Sequence, residues 1–481
     1  MRLASLFAGL SALLATGLAP AFAAGPAATT IPDRALATAE TLRAQGLKDD
    51  LAWTLTEDLT TSIGPRLAGS ANDLKAREWM AARFRALGFD TVRTEPVSYP
   101  KWVRRSESGA IVAPVAQTLA LTALGNSGPT PKGGLTAEVA AFASLEALQA
   151  AADAAVRGKI VYVANPRMSV RVDGADYGKG SRVRSRGPSL AAQKGAAAFV
   201  LRSVGSDNNR TPHTGVTSFA DGVTPIPAAA LSNPDADLLD TVLRRGAPVS
   251  LRLDLDCGLE GEYTGANVIG EIRGRDDTGE YVLTGGHLDS WDLGTGAIDD
   301  ASGIAITTAA AHLIAQLPER PRRSIRVVAF ANEEAGLYGG KAYAENHRAE
   351  IAKAVIGAES DAGADRIVKL TATVKPSARG AIDRIAAALA PLGVTYDAAA
   401  PGSGGSDLSA VHAVGMAGLS LHQDTSRYFE WHHTANDTLD KVDIEQLRQN
   451  VAVYAVALYL AAEAEGDFGS APGAFAKDGA N

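Results

Sequence analysis

The sequence predicts an α/β fold, a mixed central sheet flanked by helices. Two observations predict it. From Ala266 onward, strand, loop and helix patterns follow one another repeatedly. The last long segment, Asp443 to Ala462, carries Ile444, Leu447, Val451, Tyr454 and Leu458 at helical spacing. Helices joined this way cover the faces of a largely parallel or mixed sheet, and sites then collect beyond the carboxyl ends of its strands.

The elements follow in order. Pro32 to Leu51 reads as a helical lead-in, and Ile63 to Ser70 as a loop. Ser70, with Asp73 three residues later, marks a helix start. Ala76, Met80, Phe84 and Leu87 continue it, Gly88 ends it, and Thr91 to Val97 is a strand. Between Gly125 and Cys257 the texture changes, with strands at Gly158–Val163 and Ala197–Leu201 and a short helix at Leu190–Lys194. Another ordered segment starts at Pro225, and the whole stretch reads as an inserted α+β module. Strands follow at Tyr281–Thr284, Ile325–Phe330, Ala354–Gly357 and Gly418–Leu421, with helices at Ser302–Leu317 and Leu337–His347.

Arg2, the apolar run Leu6 to Leu18 and the small-residue pattern Ala21-Phe22-Ala23 read as a secretory signal cut after Ala23. The expected location is periplasmic or secreted. The expected divisions are 1–23 signal, 24–124 first part of the main unit, 125–257 insertion, 258–465 remainder of the main unit, and 466–481 a flexible tail. Cys257 is the single cysteine, which excludes an intramolecular disulfide and cysteine-based zinc fingers. A formal net charge of −8 with mixed signs argues against nonspecific nucleic-acid binding. No later stretch has the uninterrupted apolar length of a membrane span.

Five short segments place acids or histidines after an apolar strand or in a loop. They are Gly285 to Ser290, Gly296 to Gly303, Phe330 to Gly336, Glu359 to Gly363 and Trp431 to Thr438. Imidazole and carboxylate donors suit zinc, and a catalytic zinc keeps one position open for water. Two zinc ions sharing a carboxylate need about five protein ligands, and a further carboxylate free of metal serves as a base. The five segments supply that inventory. Each alone is weak. His-x-Asp is usually a surface hydrogen bond, Glu333-Glu334 a solvated helix start, and Asp299-Asp300 a helix cap.

In the order His-x-Asp, Asp-Asp-x-Ser-Gly, Glu-Glu, Asp and His-Thr-x-x-Asp-Thr, the segments resemble the co-catalytic two-zinc exopeptidases, a family of bacterial aminopeptidases and glutamate carboxypeptidases. The middle module resembles a protease-associated domain. The resemblance implies a zinc exopeptidase fold and two Zn2+ per chain, with short peptides as substrates. His287 and Asp361 would hold one ion, Glu334 and His433 the other, and Asp299 would bridge them. Glu333 would be the general base, and Asp289 would orient His287 by accepting its other ring proton. The Asp299–Asp300 peptide would be cis. The inserted module could bind a partner or form the face of a homodimer.

One departure stands out. Some relatives place a tyrosine before the last histidine as an oxyanion donor, whereas this chain has His432, so His432 and Tyr428 are the candidates for that task. His213, in Pro212-His213-Thr214-Gly215, reads first as a hydrogen bond fixing its own loop. Ser406 and Asp407 belong to a glycine-rich turn that the resemblance brings near the site. Two rival functions are glutaminyl cyclisation, which needs one zinc, and a non-catalytic binding or receptor-like role. The presence of His287 and Asp299 argues against the first, and the complete donor set against the second. Which peptide terminus is recognised stays open at this level.

Overall fold

The computed structural model describes residues 28–475, so the expected signal segment lies outside the described residues. The strands are β1 Thr91–Ala113, β2 Gln117–Leu119, β3 Leu121–Ala123, β4 Leu135–Phe142, β5 Ile160–Val163, β6 Ala198–Arg202 and β7 Ala228–Leu231. They continue as β8 Ser250–Ile272, β9 Tyr281–His287, β10 Ser324–Phe330, β11 Ala354–Glu359, β12 Ile367–Thr373, β13 Thr395–Tyr396 and β14 Gly418–Gln423.

All of them join in one mixed sheet, ordered β13-β12-β14-β11-β9-β10-β8-β4-β5-β6-β7-β3, with β1 along β8 and β2 along β1. The middle of the first half is parallel, β14-β11-β9-β10, and antiparallel partners close it on both sides. Here the expected mixed sheet is present. Its strands are buried on both faces, as near-continuous apolar runs demand. Val282, Val327 and Ala329 face a core built with helices Ser302–Ala315 and Ile444–Glu463. Leu283, Val328 and Phe330 face Tyr343, Leu408, Val411 and Met416 on the other side.

The helix beginning at Ala71 starts as the sequence predicts, with Ser70 Oγ accepting from the Asp73 N–H at 3.1 Å. Strand β1 runs sixteen residues past its expected end at Val97. Pro96 and Pro100 interrupt the apolar alternation, but there β1 pairs with β8 alone, β2 joining it only at residues 109–111, so a missing N–H is tolerated on its open edge. β8 pairs with β10 through residues 268–272 and with β4 through 250–253. The boundary expected at Cys257 therefore falls inside a strand that both halves of the molecule share.

Within the segment read as an insertion, β4 to β7 run parallel, and β3, just before that segment, pairs antiparallel with β7. Its helix extends over Tyr177–Gln193, far longer than the expected Leu190–Lys194. Polar composition and Pro188 hide it from a periodicity reading. Gly187 lets it lie close on the sheet, since a Cβ there would meet the Phe199 ring at 2.5 Å.

The tail is also corrected in its described part. Phe468 is fully buried, its carbonyl accepts from Lys375 N–H at 2.9 Å, and Ser470 Oγ donates to Val355 O at 3.0 Å. Among the described residues, no helix is long and apolar enough to cross a membrane.

Candidate metal centre

Parallel strands β9, β10 and β11 end side by side, and their carboxyl ends deliver the first donors. His287 closes β9, Asn332-Glu333-Glu334 follow β10, and Asp361 follows β11. Such a crevice is where α/β sheets bind ligands. Asp299 comes from a turn at Ala297–Ala301 that leads into helix Ser302–Ala315. His432 and His433 follow the short helix Tyr428–Trp431.

All five expected donors meet here. His287 Nε2 lies 3.1 Å from Asp299 Oδ1 and 3.4 Å from Asp361 Oδ1. His433 Nε2 lies 2.9 Å from Glu334 Oε2 and 3.3 Å from Asp299 Oδ2. One carboxylate thus faces both rings, one oxygen each. The other ring nitrogens fix the tautomers. His287 Nδ1 meets the Asp289 carbonyl at 2.9 Å, and His433 Nδ1 meets the Thr214 carbonyl at 3.3 Å. A carbonyl only accepts, so each Nδ1 is a donor, and each Nε2 is left aimed at the carboxylates, where it could ligate an ion.

The donor set fits divalent cations. Asp299 Oδ2 and Glu334 Oε1 are buried without a hydrogen-bond partner, as is His432 Nδ1. Buried carboxylates crowded against one another are costly unless a cation compensates them. Burial, followed by Asp299, Glu333 and Asp289 among the neighbouring carboxylates, pushes the Glu334 carboxyl well up from its usual range. Two overlapping trios could hold an ion, His287-Asp299-Asp361 and Asp299-His432-His433. The second brings in His432, whose Nε2 is 3.5 Å from Asp299 Oδ2 and whose ring stacks on His433 at 3.5 Å.

Asp289 meets the His287 ring through its backbone. Its carbonyl, not its carboxylate, takes the His287 ring proton, because the carboxylate stands 3.7 Å away. That carboxylate instead accepts from the Glu333 and Glu334 backbone N–H groups at 3.0 and 3.4 Å. It therefore orients the Glu-Glu pair, and burial raises its own pKa to about 6.

The Asp299–Asp300 peptide is cis. Asp300 is fully buried, and its two oxygens accept from His287 N–H and Gly303 N–H, both at 3.1 Å. Gly286 and Gly303 make room for it, since a Cβ on either would stand 2.3 Å or less from its carboxylate.

Asp437 accepts from the Ala297 and Ile298 N–H groups at 2.6 and 2.8 Å, fixing the turn that carries Asp299. Burial, then the Asp299 carboxylate, lifts Asp437 to about 7. Arg66, also fully buried, donates to the carbonyls of Leu288, Thr295 and Gly296. Burial lowers it to about 10, so it stays charged among the acids. Nothing in local pattern marks Arg66, which acts from more than two hundred residues away.

Four non-glycine residues among those described have positive φ, and Asn332, Leu337 and His433 at 52°, 58° and 62° all flank the cluster. Left-handed backbone in such residues persists where surrounding contacts over-determine it, as around functional sites.

The cluster opens into a cavity of about 580 Å³. Glu333, Glu334, Asp299, Asp361, Tyr428, His432 and Ser406 form its metal-side wall. Tyr177, Arg184 and Val216 from the middle segment form the opposite wall, which sequence reading missed. Tyr177 stacks on Phe429 at 4.8 Å. Asp407 stands behind the wall, its Oδ1 accepting from Gly340 N–H at 2.9 Å, and burial lifts it to about 8. Two histidines are engaged away from the cluster. His347 pairs with Glu95 and Glu350, and His422 with Thr371.

Comparison with known proteins agrees with this geometry. Residues 267–458 match the family model for peptidase family M28. Mouse carboxypeptidase Q is 35% identical over 405 residues, covering 84% of each chain. A peptidase M28 precursor from Shewanella amazonensis superposes with a TM-score of 0.87 at 44% identity, covering 92% of this chain and 99% of its own. An Aneurinibacillus aminopeptidase shares the fold with a TM-score of 0.60 at 23% identity, over 89% of this chain and 98% of its own. Donors on the ends of three parallel strands and a family match that spans them lead to one conclusion: the chain belongs to peptidase family M28.

Proposed function

We propose that the protein is a two-zinc exopeptidase that hydrolyses dipeptides or short peptides, secreted or held in the periplasm. The observation that carries this reading is the Asp299 carboxylate between two histidine Nε2 atoms. His287, Asp361 and one oxygen of Asp299 would hold one ion. Glu334, His433 and the other oxygen would hold the second, with His432 within reach of it. When bound, two zinc ions polarise a scissile carbonyl and make a water acidic near neutral pH.

The chain's own groups do the rest. Glu333 lines the cavity beside this cluster without bonding to either histidine. Burial, followed by the Asp361 carboxylate, pushes its pKa well up, the direction that suits a proton shuttle near neutral pH. It takes the proton of the attacking water and passes it to the leaving amine. Asp289 holds Glu333 by its backbone. Tyr428 faces the same space and can donate to the developing oxyanion.

Arg184 supports recognition of a free carboxyl terminus, in keeping with the name of the mammalian relative. Its guanidinium is buried in the cavity wall, with Nη2 donating to Tyr177 Oη at 2.8 Å and Nη1 to Thr214 O at 3.2 Å. Its Nε has no partner. A charge-assisted hydrogen bond of this kind contributes about 1.5–3 kcal/mol, or about 10–100-fold in kcat/KM. A dipeptide panel tests the reading, each peptide supplied free, amine-blocked and carboxyl-amidated. Amidation is expected to cost that factor in the wild type and almost nothing in Arg184→Met. Full activity on amidated peptides, with loss only on amine blocking, would make the protein an aminopeptidase and remove Arg184 from recognition.

A further inference from the structure

The segment from Asp207 to Thr214 contributes no donor to the cluster, yet it grips the loop that does. His213 is 1% exposed and lies between two groups. Its Nδ1 stands 2.7 Å from the His432 carbonyl, and its Nε2 stands 2.7 Å from Asp207 Oδ1. The carbonyl only accepts, so Nδ1 donates to it. Asp207 is held in turn. Asn233 Nδ2 donates to its Oδ1 at 3.2 Å and to its carbonyl at 3.1 Å, and Asn209 N–H donates to its Oδ2 at 2.7 Å. Ser203 Oγ accepts from His213 N–H at 2.9 Å. Gly205 leaves the ring its space, since a Cβ there would meet Nε2 at 2.1 Å.

The next residue continues the grip. Thr214 N–H donates to the His433 carbonyl at 3.0 Å, and the Thr214 carbonyl takes the His433 ring proton. The Thr214 hydroxyl is anchored to Ala123 O at 2.8 Å. His433 thus sits in left-handed backbone with bonds to its carbonyl and its ring, both from another part of the chain. Without them, neither the conformation nor the ring orientation is enforced by its own short loop.

We propose that Asp207, His213 and Thr214 are positioning residues for the His432-His433 side of the metal centre, so that retention of one of two ions depends on the middle segment. This rests on the two-zinc reading. Groups that orient a ligand from outside typically change metal affinity by about 10–100-fold when removed.

The test measures zinc binding to metal-free protein by competition with a chromophoric chelator, on wild type and variants. Wild type is expected to bind two equivalents. In His213→Ala one equivalent weakens by about 10–100-fold and the other keeps its wild-type affinity. His213→Asn, whose amide can replace the Nδ1 donor, recovers most of the loss. Asp207→Asn shows a smaller loss in the same equivalent and decides the matter if His213→Ala does not fold, as judged by circular dichroism and thermal unfolding of the metal-free form. Unchanged affinity for both equivalents in the folded variants would overturn the positioning role. Failure of wild type itself to bind zinc would instead overturn the two-zinc reading.

Discussion

Glu333→Gln is expected to lower kcat by about 100- to 10,000-fold, the contribution of a positioned general base, while both zinc ions stay bound. The side chain is outside the pairs that face His287 and His433, so its amide removes a proton acceptor without removing a metal ligand. Gln keeps the size of Glu, and the backbone N–H of residue 333 still donates to Asp289. KM should change little, because the loss falls on proton transfer. Zinc content by plasma mass spectrometry and steady-state kinetics on one dipeptide are the two readouts. Undiminished kcat at full zinc content would assign the base to another group.

Asp299→Ala should have the widest effect on the metal centre. Its two oxygens face different histidines at 3.1 and 3.3 Å, so its loss weakens both ions together. Each affinity should fall by more than the ~10–100-fold typical of an orienting group, and activity should disappear with the metal. The metal-free protein should respond in the opposite sense. Burial is the leading cause that raises the Asp299 pKa in the folded state. A carboxyl raised in this way costs folding stability at pH above its unfolded value and costs nothing below it. Metal-free Asp299→Ala is therefore expected to melt above metal-free wild type at pH 7, with the difference shrinking as pH falls toward about 4. Equal melting temperatures at pH 7 would show that the cluster carries no such penalty.

Much of this was legible in the sequence because chemistry and periodicity coincide there. Strands β9, β10 and β11 are apolar runs that end in donors, so pattern and motif mark the same places. The side chains of His287, Asp299, Glu334, Asp361 and His433 come together in one cluster. What escaped is action at long range. Arg66 serves carbonyls more than two hundred residues on, and Asp437 serves a turn at 297–298. Arg184 and Tyr177 sit on a helix whose polar composition and Pro188 keep its first turns out of a periodicity reading. The antiparallel ribbon of β1 and β8 escaped because prolines on an open edge break the alternation without breaking the pairing. Asp289 shows a subtler limit. Its spacing from His287 brings it beside the ring, but which of its oxygens reaches the ring is decided by the backbone after β9.

Titrating metal-free protein with zinc while following hydrolysis of one free dipeptide tests the account at its root. Activity should be absent at the start, rise with added zinc, and level off at two equivalents per chain. Full turnover without zinc, a plateau at one equivalent, or no turnover at any loading would contradict it.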